Sequence, residues 1–194
     1  MKQQRTVVAD NRLYESAYAA LRARKFDVAL KRFSELAASG SPDAWISLGW
    51  MHQHAAGVPR NFREAEDCYT KAIALGHIPA NFHLARLLVR KRAYKDAFAY
   101  FSVAADKGHI PSTYWLGILY LKGEGIDKDV SKAEVYLKRA AESGHLFARR
   151  DYNLALLRGI FGKREWLSNL AGWLRALWAI PKQAKDDSNS ELLQ

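Results

Sequence analysis

Three sequence features recur along this chain in a fixed order, and their spacing most limits how the chain can fold. A glycine ends a helix-like segment at Gly40, Gly76, Gly108 and Gly144, at intervals of 36, 32 and 36 residues. Alanine recurs at the same intervals, at Ala29, Ala65, Ala97 and Ala133. A second small residue recurs at intervals of 32, 36 and 32 residues, at Ala17, Gly49, Ala85 and Gly117. Shared periods of this length are typical of helical repeats that stack on one another.

Each unit is predicted to contain two antiparallel helices, named helix A and helix B in chain order. The stretch 112–121 is apolar nearly all round, as expected of a helix A that is buried on several sides. The stretch 130–142 has apolar residues at three- and four-residue steps, which predicts an amphipathic helix B. The glycine after helix B suits a left-handed C-cap. The small residue of helix A and the alanine of helix B should mark where the two backbones approach closely.

The turn between helix A and helix B comes in two lengths. It is longer and contains glycine at 52–65 and 120–133, and it is shorter at 21–29 and 89–97. Gly57, Gly123 and Gly125 are predicted to be turn residues. They do not form a phosphate-binding loop, because no lysine-serine ending follows them and no strand precedes them.

The unit at 112–144 resembles the Sel1-like repeat family, a helical relative of the tetratricopeptide repeats. It matches the family's pattern at Leu116, Gly117, Tyr120, Gly123, Gly125, Ile126, Lys132, Ala133, Tyr136, Ala140, Ala141 and Gly144. The unit at 44–76 follows the same pattern, whereas 14–40 and 80–108 lack the long turn and look like tetratricopeptide units. The resemblance implies an adaptor or scaffold that binds other proteins and has no enzymatic activity.

These observations predict an all-α, right-handed α-solenoid of about four and a half helix-turn-helix repeats, with a C-terminal amphipathic capping helix. The solenoid is expected to occupy 1–158. Its units lie near 11–40, 41–76, 77–108 and 109–144, and a partial unit spans 145–158. The amphipathic helix is expected within 159–181, and residues 182–194 are polar enough for a disordered tail.

Stacked helix pairs leave a long concave surface, and helix A is predicted to line it. Aromatic residues with an arginine among them match the composition of binding hot spots. The predicted partner-binding residues are Tyr18, Trp50, Phe82, Arg86, Tyr114 and Ile118. Repeat register also places Tyr14, Leu21, Ile46, Gln53, Val89 and Leu121 on this surface. The same residues could instead fill the tight interior of the superhelix, and the sequence leaves this alternative open.

The stretch 166–180 has one apolar helical face, formed by Trp166, Leu170, Trp173, Leu174, Leu177 and Trp178. A solenoid needs a cap over its last apolar edge, and this face would serve. Alternatively, the helix lies in a membrane interface with its tryptophans at headgroup depth, which would make the protein a peripheral membrane adaptor. A third possibility is association with a partner or with a second copy.

Other features exclude several classes of function. One cysteine, Cys68, rules out an internal disulfide framework. Nucleophile–base motifs, dinucleotide fingerprints and metal-ligand spacings are absent from the sequence. We therefore expect no catalytic residue, no metal, no cofactor and no small-molecule substrate.

The net charge of +10 leaves several anionic partners possible. Basic runs lie at 22–25 and 86–95, in and around the two short turns, and could meet nucleic acid, acidic lipid or an acidic protein. We expect another protein, rather than nucleic acid, as the partner. No apolar run reaches the length of a signal peptide or a spanning helix, which predicts the cytoplasm, or the inner face of the membrane for the peripheral alternative.

Overall fold

The computed structural model of the protein describes the backbone of residues 2–161 and the side chains of residues 11–161. The described residues form helices joined by turns. The helices are α1 Lys2–Arg22, α2 Phe26–Ala38, α3 Pro42–His54, α4 Phe62–Ala74, α5 Ile78–Arg90, α6 Tyr94–Asp106, α7 Ile110–Lys122, α8 Val130–Glu142 and α9 Leu146–Leu157. In the repeat predicted near 109–144, helix A was expected over 112–121 and is α7. Its helix B was expected over 130–142 and is α8.

The described part of the chain divides after Leu87 into two compact parts, called the first unit and the second unit, each of which contains more than one repeat. In the first unit, α1 packs on α2, α2 on α3, and α3 on α4. In the second, α6 packs on α7, α7 on α8, and α8 on α9. Helices therefore pack against their chain neighbours, as expected of stacked hairpins.

Helix B is α2, α4, α6 or α8 in successive hairpins, and these helices end in the same way. After α8, the N–H of Gly144 donates to the carbonyl of Ala141 at 3.1 Å, and the N–H of His145 donates to that of Ala140 at 3.0 Å. Gly144 has φ +91°, in the left-handed region that favours glycine. The same pair of bonds closes α2, α4 and α6 at Gly40, Gly76 and Gly108. The predicted left-handed C-caps are thereby confirmed.

The two glycines of helix A lie where helix B approaches closely. A Cβ added at Gly117 would lie 2.7 Å from Cγ of Leu137, and one added at Gly49 would lie 2.6 Å from Cε1 of Tyr69. Leu137 and Tyr69 come one helical turn after the marker alanines, Ala133 and Ala65, which are themselves fully buried. The predicted close approach of helix A and helix B is therefore present. The atoms nearest to each glycine belong to the residue four positions after the marker alanine.

The long turns pack against the short ones. A Cβ added at Gly57 would overlap the Cβ of Phe26, the first residue of α2. A Cβ added at Gly125 would lie 2.5 Å from the backbone nitrogen of Lys95, in the first turn of α6. Within each unit, the long turn therefore contacts the start of helix B of the preceding hairpin. This contact gives a physical reason for the alternation of long and short turns.

Candidate functional site

In the first unit, three predicted binding residues directly follow small, fully covered ones. Ala17, Gly49 and Ala85 are buried, whereas Tyr18, Trp50 and Arg86 are half-buried. Phe82, one helical turn before Arg86, is also half-buried. In each helix A of this unit, the residue after the buried small one is therefore partly exposed to solvent.

These side chains are held by neighbours on their own helices or on the adjacent one. The ring of Trp50 stacks on His54 with centroids 4.6 Å apart, and the guanidinium of Arg86 lies 5.5 Å from the centroid of Phe82. Such stacking restrains the side chains before any ligand arrives, which lowers the entropy cost of binding.

Tyr18 combines a packed ring with a hydrogen-bonded hydroxyl. Its ring meets Phe33 edge-on at 5.1 Å, and its hydroxyl lies 3.1 Å from that of Ser47. Burial raises the pKa of Tyr18, and the hydrogen bond to Ser47 offsets part of that rise. The hydroxyl therefore stays protonated near neutral pH, as a neutral polar group on an aromatic surface.

Three other positions assigned to this surface by register are buried. Leu21, Ile46 and Gln53 are 6%, 2% and 6% exposed. The amide oxygen of Gln53 accepts a hydrogen bond from the hydroxyl of Tyr69 at 2.9 Å, and burial raises the pKa of Tyr69 well above its usual range. For these residues the prediction of a surface position was wrong. They pack in the interior, because the face of helix A that leaves the core is narrower than the periodicity suggests.

In the second unit, Tyr114 and Ile118 on α7 are half-buried, as are Val89 and Leu121. The hydroxyl of Tyr114 donates to Oδ2 of Asp151 at 2.8 Å, and its ring stacks on His145 at 4.7 Å. Burial, followed by the charge of Asp151, raises the pKa of Tyr114 far above its usual range. Tyr114 thus ties α7 to α9 as well as facing outwards.

The sequence marks the histidines that follow repeat glycines as structural positions, but it did not reveal that His109 and His145 cap helices. Nδ1 of His109 accepts from the backbone N–H of Ser112 at 3.3 Å, and Nδ1 of His145 accepts from that of Ala148 at 3.0 Å. His77 holds the equivalent place after Gly76, and its Nε2 lies 2.9 Å from Oδ1 of Asp43. The signal was available, because each histidine directly follows a helix-ending glycine.

Other features that could carry function within residues 11–161 are metal-ligand clusters, the cysteine and apolar helices. No group of three or more histidine, cysteine, aspartate or glutamate side chains in that range could hold a metal ion. Cys68 is buried, and burial raises its pKa to about 11, so the thiol stays protonated near neutral pH. Among the described helices, none combines the length and apolarity needed to cross a bilayer. Trp166, Leu170, Trp173, Leu174, Leu177 and Trp178 lie outside the described residues.

Helix hairpins that share one glycine cap and one small-residue contact define an all-α helical-repeat protein of the solenoid class. Residues 42–77, 79–109 and 110–145 match the Sel1 repeat, and together these stretches exceed half of the chain. The chain therefore belongs to the Sel1 repeat family. Proteins of this family are generally protein-interaction adaptors, and their fold is typically a non-catalytic scaffold.

Three similar proteins illustrate the family. Over 93 residues, or 48% of this chain, it is 33% identical to chitin synthase regulatory factor 3 of Schizosaccharomyces pombe, of which it covers 10%. A Sel1 repeat protein from Oxalobacter formigenes has a TM-score of 0.69 at 21% identity, covering 77% of this chain and 61% of that one. A protective antigen of uropathogenic Escherichia coli strains, with an SLR fold, has a TM-score of 0.66 at 26% identity, covering 86% of this chain and 39% of that one.

The chain thus spans a tenth of the curated relative and less than two thirds of each of these solved chains. The similarity to the two solved structures confirms the predicted all-α solenoid fold.

Proposed function

We propose that this chain is a protein-interaction adaptor that contacts its partner through the outward positions of helix A. In the first unit these are Tyr18, Trp50, Phe82 and Arg86, and in the second they are Tyr114 and Ile118. One observation carries the proposal: in α1, α3, α5 and α7 a half-buried residue of this set directly follows a buried small residue. Within the first unit, surface-facing side chains at one repeated position offer a partner contacts on successive helices A.

The chemistry of the first unit suits a peptide with both apolar and hydrogen-bond-accepting groups. Trp50 and Phe82 offer large rigid rings, and Arg86 offers a guanidinium next to an aromatic face. Tryptophan, tyrosine and arginine dominate binding hot spots because they bury much area and keep directional donors. Trp50 and Arg86 are therefore expected to contribute most of the affinity.

The test compares Trp50→Ala and Arg86→Ala with the intact chain. Affinity capture followed by mass spectrometry identifies the partner, and titration calorimetry with that purified partner then measures each variant. Removal of a hot-spot residue should weaken binding roughly 30-fold, corresponding to about 2 kcal/mol.

Val103→Ala is the matched control, because Val103 is 48% exposed on α6, a helix B. Melting curves establish that each variant is folded. Unchanged affinity in the folded Trp50→Ala and Arg86→Ala variants would exclude this surface.

A second candidate function rests on the sequence of 166–180, whose periodicity would place three tryptophans on one face if it formed a helix, with Arg175 and Lys182 close by in sequence. We propose membrane docking of the adaptor through this stretch. The full chain should float with vesicles that contain anionic lipid, and Trp173→Ala with Trp178→Ala should reduce flotation. Absence of flotation at low salt would remove this function and leave the stretch as a cap or an association surface.

A further inference from the structure

The chain leaves α9 through a turn that it also makes before a new helix elsewhere. The N–H of Gly159 donates to the carbonyl of Leu156 at 3.0 Å, and the N–H of Ile160 donates to that of Ala155 at 2.9 Å. Gly159 has φ +68°, in the left-handed region. The four glycine caps and the two short turns have the same pair of bonds and a residue with positive φ at the same place. The chain therefore makes this turn six times before α9 ends.

In each of those six cases a new helix begins two residues after the left-handed residue. Gly144 is followed by α9 at Leu146. The left-handed residue is an arginine in the short turns, with φ +57° at Arg24 and +61° at Arg92, and Arg92 is followed by α6 at Tyr94. The new helix lies against the one that has just ended, as α9 does on α8 and α2 on α1. Because Gly159 repeats this geometry, the chain after α9 is directed back along α9.

Phe161 already contacts α9. Its ring stacks on that of Tyr152 with centroids 5.7 Å apart. Tyr152 is half-buried, whereas Leu48 and Leu116, at the same repeat position of α3 and α7, are 6% and 1% exposed. α3 packs on its own helix B, α4, and α7 packs on α8. The equivalent side of α9 is thus covered less completely than in these two hairpins.

The sequence after Phe161, outside the described part of the chain, supplies the apolar pattern of a helix B. The buried positions of α2 have a spacing that recurs in α6, and they are Ala29, Phe33, Leu36 and Ala37. The same spacing falls on Trp166, Leu170, Trp173 and Leu174. In this register the helix would begin at 163, after a turn over 158–162. Such a turn is intermediate between the short turn 23–25 and the long turn 55–61.

Two other registers disagree with the repeat pattern. A helix that began at Phe161, as after a short turn, would put Arg164 and Ser168 at positions that are fully buried in α2 and α6. Phe161 itself still lies in a turn. A match that started at Leu170 would need a turn longer than the long turn. The intermediate turn is therefore favoured.

We infer that residues 163–178 of this chain form a helix that packs on α9 and covers the end of the second unit, with Leu170 beside Asn153. Asn153 is 5% exposed and occupies the place of Gly49 and Gly117, which lie against the residue four positions after the marker alanine. Trp166 takes the place of that alanine. Two larger residues at the close approach hold the backbones further apart, so this helix is a cap rather than a fifth repeat.

The described side chains end on α9 itself, so the segment needs no linker to reach this face. The inference does not rest on the adaptor function. Membrane docking would use the same tryptophans and would require the helix to leave α9, so the inference concerns the protein without lipid.

The experiment measures amide hydrogen exchange of the full chain without lipid, followed by mass spectrometry, and compares it with that of Leu170→Asp. A carboxylate on the buried face should release the helix, so the amides of 146–157 should exchange on the order of tenfold faster, with those of α3 unchanged. Ser168→Asp is the matched control. It adds the same charge two residues away, on the other side of the proposed helix, and should leave the exchange of α9 unchanged.

Leu170→Ala is a milder second variant and should accelerate the same amides by a smaller factor, which keeps the test valid if Leu170→Asp does not fold. Trp50→Ala should leave the exchange of α9 unchanged, so failure of the adaptor proposal and failure of this one are distinguishable. Three results would overturn the inference. They are equal exchange of α9 in both Leu170 variants and the intact chain, equal acceleration by Ser168→Asp and Leu170→Asp, and protection of α9 that falls on dilution, which would assign this face to a second copy.

Discussion

The hairpin α3/α4 of the first unit and the hairpin α7/α8 of the second follow the same plan with different end chemistry. Both have a proline in the first turn of helix A and a long turn packed on the preceding short one. In α3/α4 the N-caps are Ser41 and Asn61, whereas in α7/α8 they are His109 and Asp129. One hairpin is therefore capped by neutral hydroxyl and amide groups and the other by ionisable groups. Neutral and ionisable caps support the same repeat geometry, so sensitivity to acid can differ between repeats.

The same two hairpins also differ where their helices touch. Gly49 faces the ring of Tyr69, whose hydroxyl is bonded to the buried Gln53, whereas Gly117 faces the aliphatic Leu137. One contact thus depends on a buried hydrogen bond, and the other depends on shape alone. The following predictions test what each contact contributes.

The largest effect is expected from filling the glycine contacts. Gly117→Leu should cost about 3 kcal/mol, because even its Cβ would lie 2.7 Å from Leu137 Cγ and 3.1 Å from the Leu137 backbone nitrogen. Gly49→Leu should cost somewhat less, because its nearest atoms are those of the Tyr69 ring rather than backbone. Chemical denaturation measures both. Gly144→Ala is the control, since only its positive φ opposes a side chain, and a loss as large as that of Gly117→Leu would contradict the packing argument.

A smaller effect should follow removal of the buried hydroxyl. Tyr69→Phe leaves the amide oxygen of Gln53 without its donor, which should cost roughly 1–3 kcal/mol. Leu137→Met, the volume-conserving change at the equivalent position, should cost less than about 1.5 kcal/mol. Unfolding of Tyr69→Phe, of Gln53→Met and of the double variant would measure the coupling between the two side chains. Additive losses in the pair would show that the hydrogen bond contributes nothing to stability.

The smallest effect is a difference in acid sensitivity. Burial, followed by the charge of His145, lowers the pKa of His109, and the backbone N–H of Lys132 lowers the pKa of Asp129. The folded state therefore favours neutral His109, whose contribution is complete above the unfolded pKa of about 6.5 and declines as pH falls below it. The contribution of ionised Asp129 is complete above about pH 3.9 and declines below that.

Hydrogen exchange followed by mass spectrometry can resolve this difference. On acidification below the unfolded-state pKa of about 6.5, amides at the start of α7 should lose protection before those at the start of α3. His109→Asn supplies a cap that does not titrate in this range and should remove the difference. Simultaneous loss of protection at both helices in the intact chain would contradict the assignment of the caps.

Much of the fold could be read from the spacing of small residues. Gly117 and Gly144 are restrictive positions, because only glycine fits a backbone contact or a left-handed cap at low cost, and such positions leave a mark in the sequence. The candidate site was less predictable, because half-buried and buried positions of helix A alternate within one turn. Trp50 and the buried Gln53 belong to the same periodic stripe.

Arg24 and Arg92 show why other features escaped the sequence analysis. A left-handed arginine violates the usual preference of that conformation for glycine or asparagine, so residue type alone gives no signal there. The histidine caps are similar, since His109 is recognised as a cap only once its ring nitrogen is seen beside the backbone N–H of Ser112.

Each long turn packs on the short turn before it. This contact affects how such a chain can be lengthened by gene duplication. In this chain each hairpin with a long turn follows one with a short turn, and Gly57 and Gly125 each contact the start of helix B in that preceding hairpin. Duplicating a single hairpin would put two long loops or two short turns in succession and leave one of them without its counterpart. Duplication of two successive hairpins would instead preserve both kinds of turn and the contact between them.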